Sequence, residues 1–525
     1  MCKLNVFGMQ FLPVTIKPSF VSLKCSMVFL LFVGLFTLTK CSGPNDKQYG
    51  EEVYKKHCAG CHGHQLQGGT ASSLIKEDLK YGNDRDSIIN VIHNGIPMTQ
   101  MVKWDTIFTE KEIAAVADYI LAVRKDPTTV KADVKSLKIE TKHYKLNIER
   151  LITEGMDGPW GIEFVDSNRA LITGKKGDLY WMINGKLDTQ KITGLPKVYA
   201  YDMVGGLMDL AIDPDYKNSG WIYLAYSHNP RNLTDTSTPG MTKIVRGKLK
   251  GHQWVEEQRL FEVPDSLLVR GGTRWGSRFL FDKQGFLYFT IGDMQASIQS
   301  GNNPQMLTRP QGKIYRINRD GSIPIDNPLY GKKNVLQAIY AWGTRNVQGL
   351  AQHPVTSKIY FSDHGPQGGD ELNVLKKGGN YGWPLITYGV NYDGSIITKD
   401  TAKAGLEQPL TYWTPSIAVC AVEFSNSPLF PKWQNNLLVT ALKFEEVRRL
   451  VIDGDRVTEQ EILLKGYGRV RDVKTGPDGA LYVLTNTPDA VSVTQACLTQ
   501  ILPAGCPAPL WVPGQHNIDG QWPSR

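Results

Sequence analysis

Three hydrophobic patterns follow one another along the chain. The run Met27–Leu38 is apolar apart from Gly34 and Thr37, with lysines before it. It suits the core of an export signal and is short for a membrane-spanning helix. Residues 1–40 are therefore expected to be an export segment, or an uncleaved anchor facing the same compartment. Next, Tyr49, Val53 and His57 recur at helical spacing. Thr109-x-x-Glu112 reads as a capping box. It opens a helix whose Ile113, Val116, Ala117, Ile120 and Val123 share one face. Residues 126–143 are polar with little periodicity and read as a linker. From about residue 144 short strand-like runs alternate with glycine- and proline-rich turns.

One unit recurs in this third region: an apolar or Pro-Asp start, a turn, then a strand. Copies end on strands centred at 171, 222, 287, 359, 437 and 481. A four-stranded propeller blade needs about 40–50 residues, so six copies over 144–489 suit a six-bladed β-propeller with long insertions. The predicted fold is multidomain: a small all-α domain over 41–125, then an all-β propeller. The repeated strands lead into loops such as Gly292-Asp293-Met294 and His364–Glu371. In a propeller these loops converge on one mouth. Residues 490–525 show no clear closing strand, so blade closure is expected to draw on Tyr144, Leu146 and Ile148.

Composition excludes more than it identifies. The formal charge is +8, but Lys3, Lys17, Lys24 and Lys40 contribute four of it and residues 1–40 carry no acid, leaving 8 − 4 = +4. That is too weak and dispersed to indicate nucleic acid. Of the eight cysteines, two precede the mature chain and Cys41 is a candidate lipid-anchor site. Lys40 makes the surrounding lipobox a poor one. Cys58-Ala-Gly-Cys61-His62 matches the C-x-x-C-H attachment signature of c-type haem, with His62 as axial ligand. Zinc is the alternative, with His57 and His64 as the nearby extra ligands. The loop Asn94–Met101 supplies methionine sulfur for the opposite haem face. Helix, haem motif, methionine loop and helix together resemble a class I cytochrome c. That family's Gly-x-x-Met pattern favours Met101 over Met98.

In the propeller, Gly343-Thr-Arg345-Asn346-Val-Gln348-Gly349 and Asp363-His-Gly-Pro-Gln-Gly-Gly-Asp-Glu371 form an ordered set with Arg469-Val-Arg471-Asp472. This set resembles the PQQ-dependent soluble aldose sugar dehydrogenases, the glucose/sorbosone dehydrogenase family. The resemblance implies PQQ held by Arg345, Asn346, Lys443, Arg469 and Arg471, with Trp413 packed on its ring. Arginine forks suit its carboxylates. It also implies calcium on the carbonyls of Gly365 and Pro366, and a second calcium near Asp370 and Glu371. The family's catalytic histidine falls at Arg274, a poor base, and a cofactor-contacting glutamine at Val204. His364 and His228 are the candidate replacement bases.

These residues predict a quinohaemoprotein dehydrogenase of the periplasm or outer envelope. It would oxidise an aldose or related alcohol and pass electrons through its own haem to a respiratory acceptor. A calcium-dependent lactone hydrolase and a catalytically inactive binding propeller are the rival readings.

Overall fold

The computed structural model describes residues 46–62, 66, 71, 74–75, 79–96, 101–125, 136–201, 204–230, 239–270, 272–294, 302–486 and 497–504. The export segment, Cys41, His64 and Met98 lie outside them.

The helical domain contains α1 (Asp46–His57), α2 (Ala59–His62), α3 (Arg85–Asn94) and α4 (Glu110–Lys125). The capping box forms as expected. Thr109 N donates to Glu112 Oε2 at 2.8 Å, and Glu112 N donates back to Thr109 Oγ1 at 3.3 Å. The Thr109 amide gains its acceptor this way, while Glu112 N also bonds Thr109 O at 2.9 Å; such caps contribute about 1 kcal/mol. The predicted face of α4 is buried against Val53, Tyr54, Ile88 and Ile92. Gly50 lets α1 cross α4 closely, since a Cβ there would lie 2.1 Å from Ala115 O.

The remainder is a six-bladed propeller: five four-stranded sheets and one of five strands. The innermost strands are Pro159–Phe164 (blade 1), Leu207–Ile212 (blade 2), Phe279–Phe281 (blade 3), Val347–Gln352 (blade 4), Val419–Phe424 (blade 5) and Val470–Thr475 (blade 6). Each touches the next, and the sixth touches the first, so the ring closes. All six predicted repeat strands are the second strands of these blades, as in Arg169–Gly174 and Leu481–Thr485. The core is a set of layers, one between each pair of neighbouring blades. Both faces of a blade are consequently buried, which is why Leu287–Ile291 and Leu437–Ala441 are buried at every position.

Two expectations need correction. A closing strand does exist: Cys497–Pro503 lies between Leu481–Thr485 and Lys145–Ile152. The N-terminal strand therefore adds to blade 6 outside a C-terminal one, rather than replacing it. The linker is also shorter than 126–143, because Ser136–Glu140 pairs with Lys145–Ile152 as the outer edge of that blade. An edge strand faces solvent on one side and can stay polar.

Candidate active site at the propeller mouth

The loops that precede each innermost strand and follow each second strand lie at the same end of the ring, because the strands alternate in direction. Arg274 enters blade 3, Arg345 and Asn346 enter blade 4, and Arg469 enters blade 6. Asp293, His364, Lys443 and Asn486 follow second strands of blades 3 to 6.

The turn at blade 4 is tightly fixed. Asp363 accepts from the backbone N–H of Arg345 at 2.9 Å and of Asn346 at 2.6 Å. His364 N donates to Asn346 O at 3.1 Å. The Arg345 side chain donates to His364 O at 2.6 Å and lies over the Trp383 ring at 5.5 Å. Its Nε is buried without an acceptor. Asn346 Oδ1 accepts from Gly276 N and from Gln348 Nε2, and Gln348 Oε1 accepts from Arg471 at 2.8 Å. These contacts make a polar floor. The His364 imidazole is pushed well below its ordinary pKa by burial and by Arg345, Arg469, Arg471 and Arg274 together. Four arginines thus converge on one histidine. Burial, and then Arg471 beside it, lowers Arg469 from its ordinary value. Such crowding is costly unless an anion shares the space.

Arg274 occupies the position of the expected base. Its guanidinium clamps Asp293 with two bonds, Nε to Oδ1 at 2.5 Å and Nη2 to Oδ2 at 3.2 Å, and both side chains are buried. Trp383 Nε1 donates to the same carboxylate at 2.9 Å. Sequence reading places Asp293 on a mouth loop but gives it no partner. The Arg–Asp clamp and Trp383 emerge only from the folded loops.

Beside this lies a cavity of about 10 Å³, lined by Asp363, Gly365, Pro366, Gly369 and Glu371 and, on one side, by Arg345. That is room for one water or small ion. The loop doubles back tightly here, since a Cβ at Gly365 would lie 2.3 Å from Gly369 O. Burial, and then Asp363, pushes the Glu371 carboxyl up to about 8. Asn373 Nδ2 donates to Glu371, while Asn373 Oδ1 is buried with no donor. Buried oxygens with an unmet demand for positive charge suit a hard cation.

Three expected site residues have other partners. Trp413 is on the outer strand of blade 4, in the layer against blade 5, and its Nε1 donates to Gln460. A bulky ring there fills core. Asp370 is taken up by structure, accepting from Gly365 N, Ser416 Oγ and Val419 N. It clamps the turn. His228 pairs with Glu262 at 3.2 Å and packs on Tyr226. It ends the second strand of blade 2, Ile222–His228. Val204 lies in a two-residue strand, Val204–Gly205.

In the helical domain, Cys58 immediately precedes α2 and Cys61 lies within it, and His62 N bonds Cys58 O at 3.0 Å. Met101 packs against the same core as Cys58. Burial, then Cys61, pushes the Cys58 thiol up to about 12. That is unfavourable for the thiolate that zinc or dithiol chemistry needs. His57, the alternative zinc ligand, is packed edge-on against Phe108 and Trp104. This end of the domain faces the propeller mouth: Tyr54 feels the Glu445 carboxylate, His57 the Lys443 ammonium, and Arg469 the Cys61 sulfur.

Residues 156–493 match the glucose/sorbosone dehydrogenase family, and residues 45–120 match subunit III of cbb3-type cytochrome c oxidase. The aldose sugar dehydrogenase YliI of Escherichia coli is 38% identical over 347 residues, 65% of this chain and 90% of that protein. Quinoprotein glucose dehydrogenase B of Acinetobacter calcoaceticus is 29% identical over 57% of this chain and 77% of its own length. The crystal structure of the E. coli soluble aldose sugar dehydrogenase in its apo form superposes with a TM-score of 0.62 at 36% identity. It covers 68% of this chain and 99% of that one. The chain belongs to the glucose/sorbosone dehydrogenase family and carries a cytochrome c domain on its N-terminal side.

Proposed function

We propose that the chain is an exported quinohaemoprotein that oxidises an aldose or related alcohol with PQQ and passes the electrons to its own c-type haem. What supports this reading is that the haem-attachment end of the helical domain lies near enough to the mouth for the Cys61 sulfur to act on Arg469, and for His57, next to Cys58, to feel Lys443. Joining donor and acceptor in one chain raises their effective concentration. A respiratory carrier would take the electrons onward.

The residues present fit the cofactor. PQQ supplies an ortho-quinone that accepts hydride, and its carboxylates match the crowded cations. Arg345, with its buried Nε lacking an acceptor, Asn346, Lys443, Arg469 and Arg471 would hold and orient it. The carbonyls of Gly365 and Pro366, with Glu371 nearby, would hold calcium. Arg274 would orient Asp293 through its two hydrogen bonds. His364, kept neutral by burial and four arginines, is our candidate to accept the substrate hydroxyl proton, a role it could fill once the cofactor's carboxylates offset those charges.

The purified, haem-loaded chain is to be mixed with PQQ, calcium and a panel of aldoses while the haem absorbance is followed. Reduction that requires both PQQ and sugar is the expected result. Lactone hydrolysis without PQQ, and no haem reduction, would sink the proposal. His364→Gln is expected to lower kcat by about 10²–10⁴. His228→Gln, at a histidine satisfied by Glu262, is expected to stay within about threefold of wild type in steady-state assays. Calcium at about 100 times its Kd is expected to add ~2.7 kcal/mol of stability, read by calorimetry against a chelator control. Glu371→Gln should remove most of that increment. An increment unchanged in the variant would place the ion elsewhere.

A further inference from the structure

Oxidising an alcohol to a carbonyl releases two electrons and two protons. Two successive ferric-to-ferrous reductions of a haem take up the electrons and leave both protons behind. On the functional reading proposed above, those protons arise in a mouth faced by the haem-attachment end of the helical domain. The opposite direction, down the innermost strands, carries a set of charged side chains that this chemistry leaves unused.

Beneath the floor formed by Asn346, Gln348 and Arg471 lies Arg278. It donates to Gln348 O at 2.8 Å and to Arg471 O at 3.3 Å. Its guanidinium stacks on Trp160 at 4.4 Å, and Arg471 lies over the same ring at 5.4 Å. Arg278 Nη1 is 3.2 Å from both Asp209 and Asp472. Asp209 also accepts from Phe279 N, and Asp472 from Ile162 N. Two residues further along the blade 6 strand, Lys474 pairs with Glu163 of blade 1 at 2.5 Å. Lys474 also feels Asp472 and Glu423, and Thr475 N donates to Glu423 at 2.5 Å. Exposure rises along this line. The Asp472 side chain is 1% exposed and that of Asp209 5%, whereas Lys474 and Glu163 are 29% and 28% exposed.

We propose that Asp472, Asp209, Glu163 and Glu423 form a proton exit path through the centre of the propeller, from the floor of the active site to the opposite face. Four carboxyls face two lasting cations, Arg278 and Lys474, so the set is neutral only when it holds two protons. Burial, opposed by Arg278 and reinforced by Asp472, raises Asp209 well above the carboxylate range. Burial, opposed by Lys474, raises Glu423 to about 7. Arg278 and Lys474 are pushed up and remain charged, so they position the carboxyls without carrying protons. At each step one carboxylate oxygen takes a proton, directly or through one water, and another carboxyl gives one up. Nothing is oxidised or reduced along the path.

Two measurements on the full haem-loaded chain test this. Infrared carboxyl titration without PQQ, from about pH 5 to about pH 9, should show protonated carboxyl signal lost around neutrality. Part of that signal should disappear in Glu423→Gln and another part in Asp209→Asn. Ionised carboxyls throughout that range would overturn the proposal. Asp209→Asn removes a partner of Arg278, so its fold is checked by circular dichroism. Glu423→Gln, at a half-buried site, is the second variant. With PQQ, calcium, sugar and a pH-indicator dye, Glu423→Gln should reduce haem at the wild-type rate in the first turnover. It should delay proton appearance about tenfold, and Glu423→Asp should restore it. Proton release at the wild-type rate in Glu423→Gln would overturn the path. Failure of the wild type to reduce haem would instead defeat the functional reading, and the path with it.

Discussion

Replacing Arg274 with alanine will lower the stability of the propeller by about 3–5 kcal/mol, the usual effect of breaking a buried ion pair from one side. Asp293 is 1% exposed, and apart from Arg274 its side chain keeps the Trp383 indole N–H as a donor. Chemical denaturation should show a lower midpoint at unchanged slope. The double change Arg274→Leu with Asp293→Leu should recover part of the loss, since it leaves no uncompensated charge. Arg274→His should behave differently. An imidazole beside Asp293 has a donor nitrogen for the carboxylate and an acceptor nitrogen for a substrate proton. Sugar-dependent haem reduction should rise by about tenfold or more. A fall in rate together with unperturbed stability would mean that the guanidinium itself serves the reaction.

Ending the chain at Ala490 will prevent the propeller from closing. The truncation removes Cys497–Pro503, the middle strand of blade 6, and with it Leu498, Ile501 and Leu502, none more than 5% exposed. Losses of this kind run to about 2–5 kcal/mol per residue, and the whole stability of a domain is about 5–15 kcal/mol. The truncated protein should elute as aggregate and lack a cooperative melt. Ile501→Ala, a milder change, should lower stability by about 2–5 kcal/mol and remain folded. A cooperative transition in the truncated chain near that of the full chain would show that Lys145–Ile152 can pair directly with Leu481–Thr485.

The contrast between these regions explains what the sequence shows and what it hides. Second strands such as Leu437–Ala441 are sandwiched between blades and flanked by Pro-rich turns, so six repeats stand out. Cys497–Pro503 is just as central, but Thr499 and Gln500 give it the composition of a loop. Their polarity is satisfied inside: Gln500 Nε2 donates to Asp478 and to the Tyr482 hydroxyl, both at 3.0 Å. Ser136–Glu140 is hidden for the opposite reason, because an exposed edge can be as charged as a linker. At the mouth, motif order located Arg345, Asn346, Arg469 and Arg471. It could not say which way an indole points, so Trp413 is expected on the cofactor while Trp383 is given no role. Nor could it foresee that Arg274 and Asp293, on separate loops, would meet.

The make-up of blade 6 also bears on the order of events during folding. Its strands come from residues 136–152 and 470–503, so the ring cannot shut until residue 503 has been made. Contacts of such sequence separation form slowly, because a long loop must close before any of them is rewarded. The α1–α4 bundle has only local contacts to make and can fold first. Cys58 and Cys61 would then be presented for haem attachment while the mouth that later faces them does not yet exist.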